Sequence, residues 1–196
     1  MTEPYLNSSK TPLMLQVKDD LFRHEGFREF AYPDPLSKLA RKYRALPWGF
    51  KPARELLALV NDMDEKDGAP WTVGVGFTHN VTPDSRITRI QAERKLEQLI
   101  LDADALLETK LPWYKGASFV TKTVLINMLF NLGIGGLLGF KNTLRFISEK
   151  NYPKAASNMA LSLWHRQVGA RAQELEARMA TQSIDAAHKA KESCNG

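Results

Sequence analysis

Residues 118 to 133, SFVTKTVLINMLFNLG, constrain the fold more than any other stretch of this chain. A helix of that composition is too apolar to face water, so it belongs at the centre of other elements, and Gly133 supplies a natural stop. The flanking segments have the patterns of helices that could surround it. TRIQAERKLEQLILDADALLETK (88 to 110) opens with Thr88 and Gln91 at capping-box spacing. It then repeats Ile90, Leu96, Leu99, Ile100, Ala103, Leu106 and Leu107 at steps of three and four, which predicts one long helix. NTLRFISEKN, then YPKAASNMALSLWHRQ with Pro153 in its first turn, then ARAQELEARM extend the helical reading to about residue 180.

The N-terminal half is built differently. LMLQVKDDLFRHEG sets Leu13, Leu15, Val17, Leu21 and Phe22 at helical spacing, and Gly26 follows as a left-handed cap, so Glu25 should end a helix. Beyond it FREFAYPD is aromatic-rich and broken by Pro33, which suits a turn leading into a short strand with Asp34 at one of its ends. WTVGVGF (71 to 77) is the clearest strand signal in the chain, and together these runs predict a small antiparallel sheet. Between them, residues 35 to 70 hold two candidate helices, SKLARKYRAL and KPARELLALVNDM, separated by PWGF and closed by DEKDGAP. This stretch reads as an inserted helical subdomain.

The expected organisation is α+β, mainly α. A loose arm over 1–12 precedes one domain over 13–180, and a tail covers 181–196. Within the domain, a small mixed lobe over about 24–87 carries the insert at about 35–70, a connecting helix runs over about 88–110, and a helical lobe over about 111–180 is joined by the N-terminal helix 13–25. Ligands tend to bind in the cleft such lobes leave.

Composition narrows the partners. A formal net charge of +5 and a pI near 9.3 favour a polyanionic partner: nucleic acid, acidic lipid or anionic cell-wall polymer. The basic residues are scattered, and the one dense cluster, residues 37 to 46, carries no stacking aromatic apart from Tyr43, which argues against nucleic acid. Cys194 is the single cysteine, so no intramolecular disulfide braces the fold. No basic start followed by an apolar run opens the sequence, and no segment is expected to span a membrane.

Glu25 and Asp34 are the pair that carries chemistry. Two carboxylates near a cleft can divide acid and base work when their surroundings separate them, and glycosidic bond hydrolysis needs such a pair. From spacing alone a solvated surface pair is the commoner outcome. The run HEGFREFAYPD, followed in order by WTVGVGF, INMLFNLG, GFKNTLRFI, AASNMALSLWHRQ and GARAQE, resembles the phage-type lysozymes of glycoside hydrolase family 24, the group of T-even phage lysozyme and many endolysins. The resemblance implies a lysozyme-like fold. It makes Glu25 the general acid, Asp34 the second acidic residue and Thr72 the hydroxyl that helps place the attacking water. It makes Arg171 the partner of the catalytic glutamate, and it puts Asn131, Phe140 and Asn158 along the saccharide. The implied activity is that of a monomeric muramidase acting on peptidoglycan with no metal or organic cofactor. It would reach the wall from the host cytoplasm by a holin-type lesion, a secretion system or a tail apparatus. Trp164 has the neighbours of a buried helical face and is expected in the core.

Two departures from the family pattern stand out. The family passes from the second acid to its next strand through a handful of residues, whereas this chain interposes 35 to 70. That stretch could roof the cleft, bind anionic wall or membrane, or contact another protein, with cleft cover slightly ahead because both its ends arise at the active edge. Phe77 stands where many relatives have a histidine, and His79 follows two residues later. A lytic transglycosylase would need the glutamate without the water-holding acid. A silent wall-binding or effector module would have lost an acid; both acids are present.

Overall fold

Thr11 and Pro12 begin the first helix. In the computed structural model, which describes residues 11–185, the Thr11 hydroxyl accepts from the Met14 N–H (3.2 Å) and its carbonyl from Leu15 (3.0 Å). Pro12 sacrifices no donor at a first helical position. Helix α1 is Pro12–Glu25 and stops at Gly26, which turns left-handed (φ 69°). The expected arm over 1–12 and tail over 181–196, with Cys194, lie largely outside the described residues.

The described chain forms two compact units, one of Lys18–Gln98 and one of the described residues on either side of that stretch, so α1 contributes to both. In the first unit, strand β1 (Arg28–Pro33) pairs antiparallel with β2 (Trp71–Gly74), with Arg28 opposite Gly74, Tyr32 opposite Thr72 and Pro33 opposite Trp71. The register slips between Arg28 and Tyr32. Along its length β1 also bonds residues 85–87: Ala31 donates to the Ser85 carbonyl (3.0 Å), and Ile87 donates to that of Glu29 (2.9 Å).

Strand β2 is shorter than the run WTVGVGF suggests. Gly74 and Gly76 take positive φ (71° and 93°), and the chain folds back so that Val73 and Phe77 exchange two backbone bonds of 2.9 Å. A Cβ on Gly74 would stand 2.8 Å from the Phe77 ring, so only glycine fits this turn.

The insert is helical, in shorter pieces than its periodicity predicts: α2 (Lys38–Lys42), α3 (Ala53–Leu57) and α4 (Glu65–Gly68). The last forms where the sequence suggests a closing loop, because Asp64 and Asp67 complete a capping box. Leu39, Ala53 and Val60 are buried in one cluster with Ala31 and Trp71 of the sheet. Successive strand side chains alternate faces, so this cluster lies behind the sheet, on the side away from Thr72 and Tyr32. The buried residues of the insert therefore underpin the sheet from that side. Burial of apolar side chains against Trp71 decided this, and local periodicity carries no record of it.

Helix α5 runs Arg89–Lys110 and contributes to both units. Its capping box is present as the sequence predicts: the Thr88 N–H donates to Gln91 Oε1 (2.9 Å) and the Gln91 N–H to the Thr88 hydroxyl (3.3 Å). In the second unit α6 spans Phe119–Gly139, capped by Ser118, with Val124, Leu125, Ile126 and Met128 fully buried. Gly133 leaves helical geometry (φ 66°, ψ 169°) and kinks the helix at the place where the sequence predicts its end. By length and composition alone α6 is long and apolar enough to cross a membrane, a test that a buried core helix also passes; 56% of its most apolar window is buried inside the protein.

Helices α7 (Lys141–Ser148), α8 (Tyr152–Ala160), α9 (Leu163–Val168) and α10 (Ala170–Thr181) complete this unit, with α10 against α8 and α6 and α7 against α8. The expected single helix YPKAASNMALSLWHRQ is two, because the Ser162 hydroxyl donates to the Met159 carbonyl (2.6 Å) and accepts from the His165 N–H (3.1 Å). Such a local bond offers the backbone an alternative to continuing the helix. The whole is α+β and mainly α, as the sequence predicts.

Candidate active site

Glu25 ends a helix held against α5 by two contacts. Lys18 bonds Glu97 of α5 (2.7 Å), and Arg89 lies 4.8 Å from the centroid of the Phe22 ring, so the last turns of α1 are fixed against the first turns of α5. The turn after β2 approaches the carboxylate: Glu25 Oε2 is 3.9 Å from the place a Cβ on Gly76 would take.

Asp34 follows β1 directly. Its N–H donates to the Pro70 carbonyl (3.0 Å), which continues the register of Tyr32 with Thr72 and Pro33 with Trp71 by one more pair. Asp34 thus shares the strand parity of Tyr32 and Thr72. Its Oδ1 accepts from the Leu36 N–H (2.7 Å), a local turn bond that fixes the carboxylate. Thr72 is half-buried, and among the described residues its hydroxyl makes no hydrogen bond, leaving both its donor and its acceptor for another molecule.

Tyr32 joins this group, although no sequence motif singles it out. Burial raises its hydroxyl pKa first, the negative charge of Glu25 raises it further, and Arg28 opposes both. Glu25 therefore acts electrostatically on the residue that faces Thr72 across the sheet. The strand parity of YPD, with Tyr32 two residues before Asp34, is the signal that points to it. Carboxylates and an uncommitted hydroxyl are groups that can transfer protons and orient water.

In the second unit, Phe140 and Asn158 line one surface depression together with Lys141, Asn142, Leu161 and Ser162. The Asn158 Oδ1 accepts from the Thr143 hydroxyl (2.8 Å), which orients its amide. Asn131 does not line that depression: its Oδ1 accepts from the Trp164 indole N–H (2.7 Å), and Trp164 packs edge-on against Phe140 (6.0 Å, 90°). Trp164 is 4% exposed, a core residue as expected. Arg171 is buried in the first turn of α10, with Nη2 donating to the Asn127 carbonyl (3.3 Å). Among the described residues no three His, Cys, Asp or Glu side chains are grouped to hold a metal ion.

These elements define a lysozyme-like α+β protein. The phage lysozyme family model matches residues 57–182, a stretch that takes in Thr72, Asn131, Phe140, Asn158 and Arg171 and begins beyond Glu25 and Asp34. The chain is also 28% identical over 135 residues to "Probable T4-type lysozyme 1" of Dictyostelium discoideum, covering 65% of this chain and 79% of that protein. The match covers well over half the chain: this protein belongs to the phage lysozyme family, the lysozyme-like hydrolases of peptidoglycan.

Proposed function

We propose that this chain is a muramidase that cleaves the β-1,4 bond between N-acetylmuramic acid and N-acetylglucosamine by an inverting route, in bacterial cell lysis. The observation that carries the reading is the uncommitted Thr72 hydroxyl on the sheet face it shares with Asp34 and Tyr32, with the charge of Glu25 acting on Tyr32. Glu25 protonates the leaving oxygen as the bond to the anomeric carbon breaks. Water held by Thr72 attacks that carbon from the opposite side and gives its proton to Asp34. Phe140 and Asn158 bind saccharide in the helical unit. The resemblance assigns Arg171 to Glu25 as its partner, and Arg171→Met should then change the pH profile of kcat/KM.

Purified murein and two proteins, wild type and Glu25→Gln, test this. Loss of turbidity with wild type alone, and new reducing ends of inverted configuration by NMR, are the expected results. Anhydro ends would make the protein a lytic transglycosylase. No cleavage by wild type would leave a wall-binding module.

A further inference from the structure

One part of the insert leaves the back of the sheet and reaches its edge. In the register slip between Arg28 and Tyr32, the N–H of Phe30 donates to the carbonyl of Gly49 (3.2 Å). Gly49 lies so close over Arg28 that a Cβ there would stand 2.7 Å from Arg28 Cδ, and its φ of 81° suits glycine. The next residue, Phe50, is 63% exposed, and the Arg28 guanidinium carbon sits 4.0 Å from the centroid of its ring.

This tip is anchored. Trp48 bridges Lys51, packs edge-on against Trp71 (6.1 Å) and donates its indole N–H to the Tyr43 carbonyl (3.1 Å). An exposed phenylalanine on an anchored loop, with its ring held by a guanidinium, is a ready surface for the apolar face of a ring. Arg28 itself meets no carboxylate among the described residues. A guanidinium stacked on an aromatic keeps its N–H edges for a carboxylate, and stacking holds it in one orientation beforehand. Arg28 stands opposite Gly74, which is two residues along β2 from Thr72. The charges of Arg28 and Glu25 both act on Tyr32.

We propose that Phe50 and Arg28 form a further substrate subsite supplied by the insert, where a sugar ring stacks on Phe50 and a carboxylate of the attached peptide stem pairs with Arg28. The subsite rests on the peptidoglycan-hydrolase reading and deepens it, because it selects strands that still carry their peptides. The recognised chemistry is an amphipathic saccharide with an acidic substituent.

Calorimetry on Glu25→Gln protein tests it, with two probes: uncross-linked glycan strands bearing peptide stems, and the same strands after an amidase has removed the stems. Adding Phe50→Ala should weaken binding of both probes about tenfold, the loss of one hot-spot contact. Arg28→Met should weaken the stem-bearing probe by a similar factor and leave the stripped probe within about twofold. Thermal melts identify any variant that has lost its fold, and Phe50→Tyr, which keeps the ring, should restore binding to a folded protein. Unchanged affinity in Phe50→Ala, equal effects of Arg28→Met on the two probes, or no binding of either probe would overturn the subsite. If the strands bind as expected and wild type fails to cleave them, the hydrolytic reading falls and the subsite stands.

Discussion

Tyr32 and Thr72 face each other across the two-stranded sheet, and Asp34, one register pair beyond Pro33 and Trp71, falls on the same side. Parity alone separates this polar face from the one behind it, where Trp71 and Ala31 join the insert in a buried cluster. The antiparallel pair thus does two jobs with alternate residues, anchoring the insert with one set and presenting polar groups with the other.

Asp34→Asn should lower turnover by about 10²–10⁴-fold, the range for loss of a general base. The amide oxygen can still accept from the Leu36 N–H, so the melting temperature should stay close to wild type. Activity retained alongside a lowered melting temperature would make Asp34 a turn residue only.

Asn131→Leu should destabilise the helical unit by about 1–3 kcal/mol, since the indole N–H of buried Trp164 loses its acceptor. Asn131→Asp keeps an acceptor there and should recover most of the loss in a denaturant titration. Equal stability of the two variants would show that this hydrogen bond contributes nothing.

Tyr114 makes stability fall in alkali. It is fully buried, burial raises its pKa well above the ordinary value of 10.0, and its hydroxyl, donating to Asp104 Oδ1 (2.7 Å), raises it further. In the unfolded chain the phenol loses its proton near pH 10, while the folded protein still holds it. The contribution is therefore complete below that pH and is lost as pH rises above it. Urea midpoints between pH 8 and pH 11 should fall less steeply for Tyr114→Phe, which at neutral pH should cost about 1 kcal/mol for the missing hydrogen bond.

Gly68→Ala should destabilise by about 1–3 kcal/mol through overpacking. A Cβ there would stand 2.6 Å from Trp71 Cζ2 and 2.8 Å from Leu39 Cδ2, and Gly68 also accepts from the Asp34 N–H (3.2 Å). Tryptophan fluorescence and murein hydrolysis should change together, because Trp71 adjoins Thr72. A change in fluorescence with full activity would show that Thr72 is positioned independently of its neighbour.

Local chemistry is legible in the sequence. Thr88 and Gln91 close their capping box, Gly26 ends α1 after Glu25, and Trp164 is core, because caps, stops and apolar periodicity act within a turn or two of the residues that encode them. Contacts across the fold leave no such mark. The family resemblance puts Asn131 along the saccharide, and in the folded chain its side chain accepts from Trp164, thirty-three residues away. Tyr32 has only its parity with Asp34 as a local sign, and what it faces, Thr72, stands across the sheet. The insert's helices are shorter than their pattern, since Leu39, Ala53 and Val60 had to meet Trp71 at once.

The sequence by itself determined the long helices and the two strand-forming runs, the stop that leaves Glu25 at a helix end, and the alternation that sets Thr72 opposite in facing to Trp71. Only the tertiary structure decided that the insert lies behind the sheet, that its tip carries Phe50 to Arg28, and that α6 kinks at Gly133 and continues. Backbone periodicity is encoded by neighbouring residues, whereas these outcomes depend on apolar surfaces far apart in the chain finding one another, and no local pattern specifies the partner.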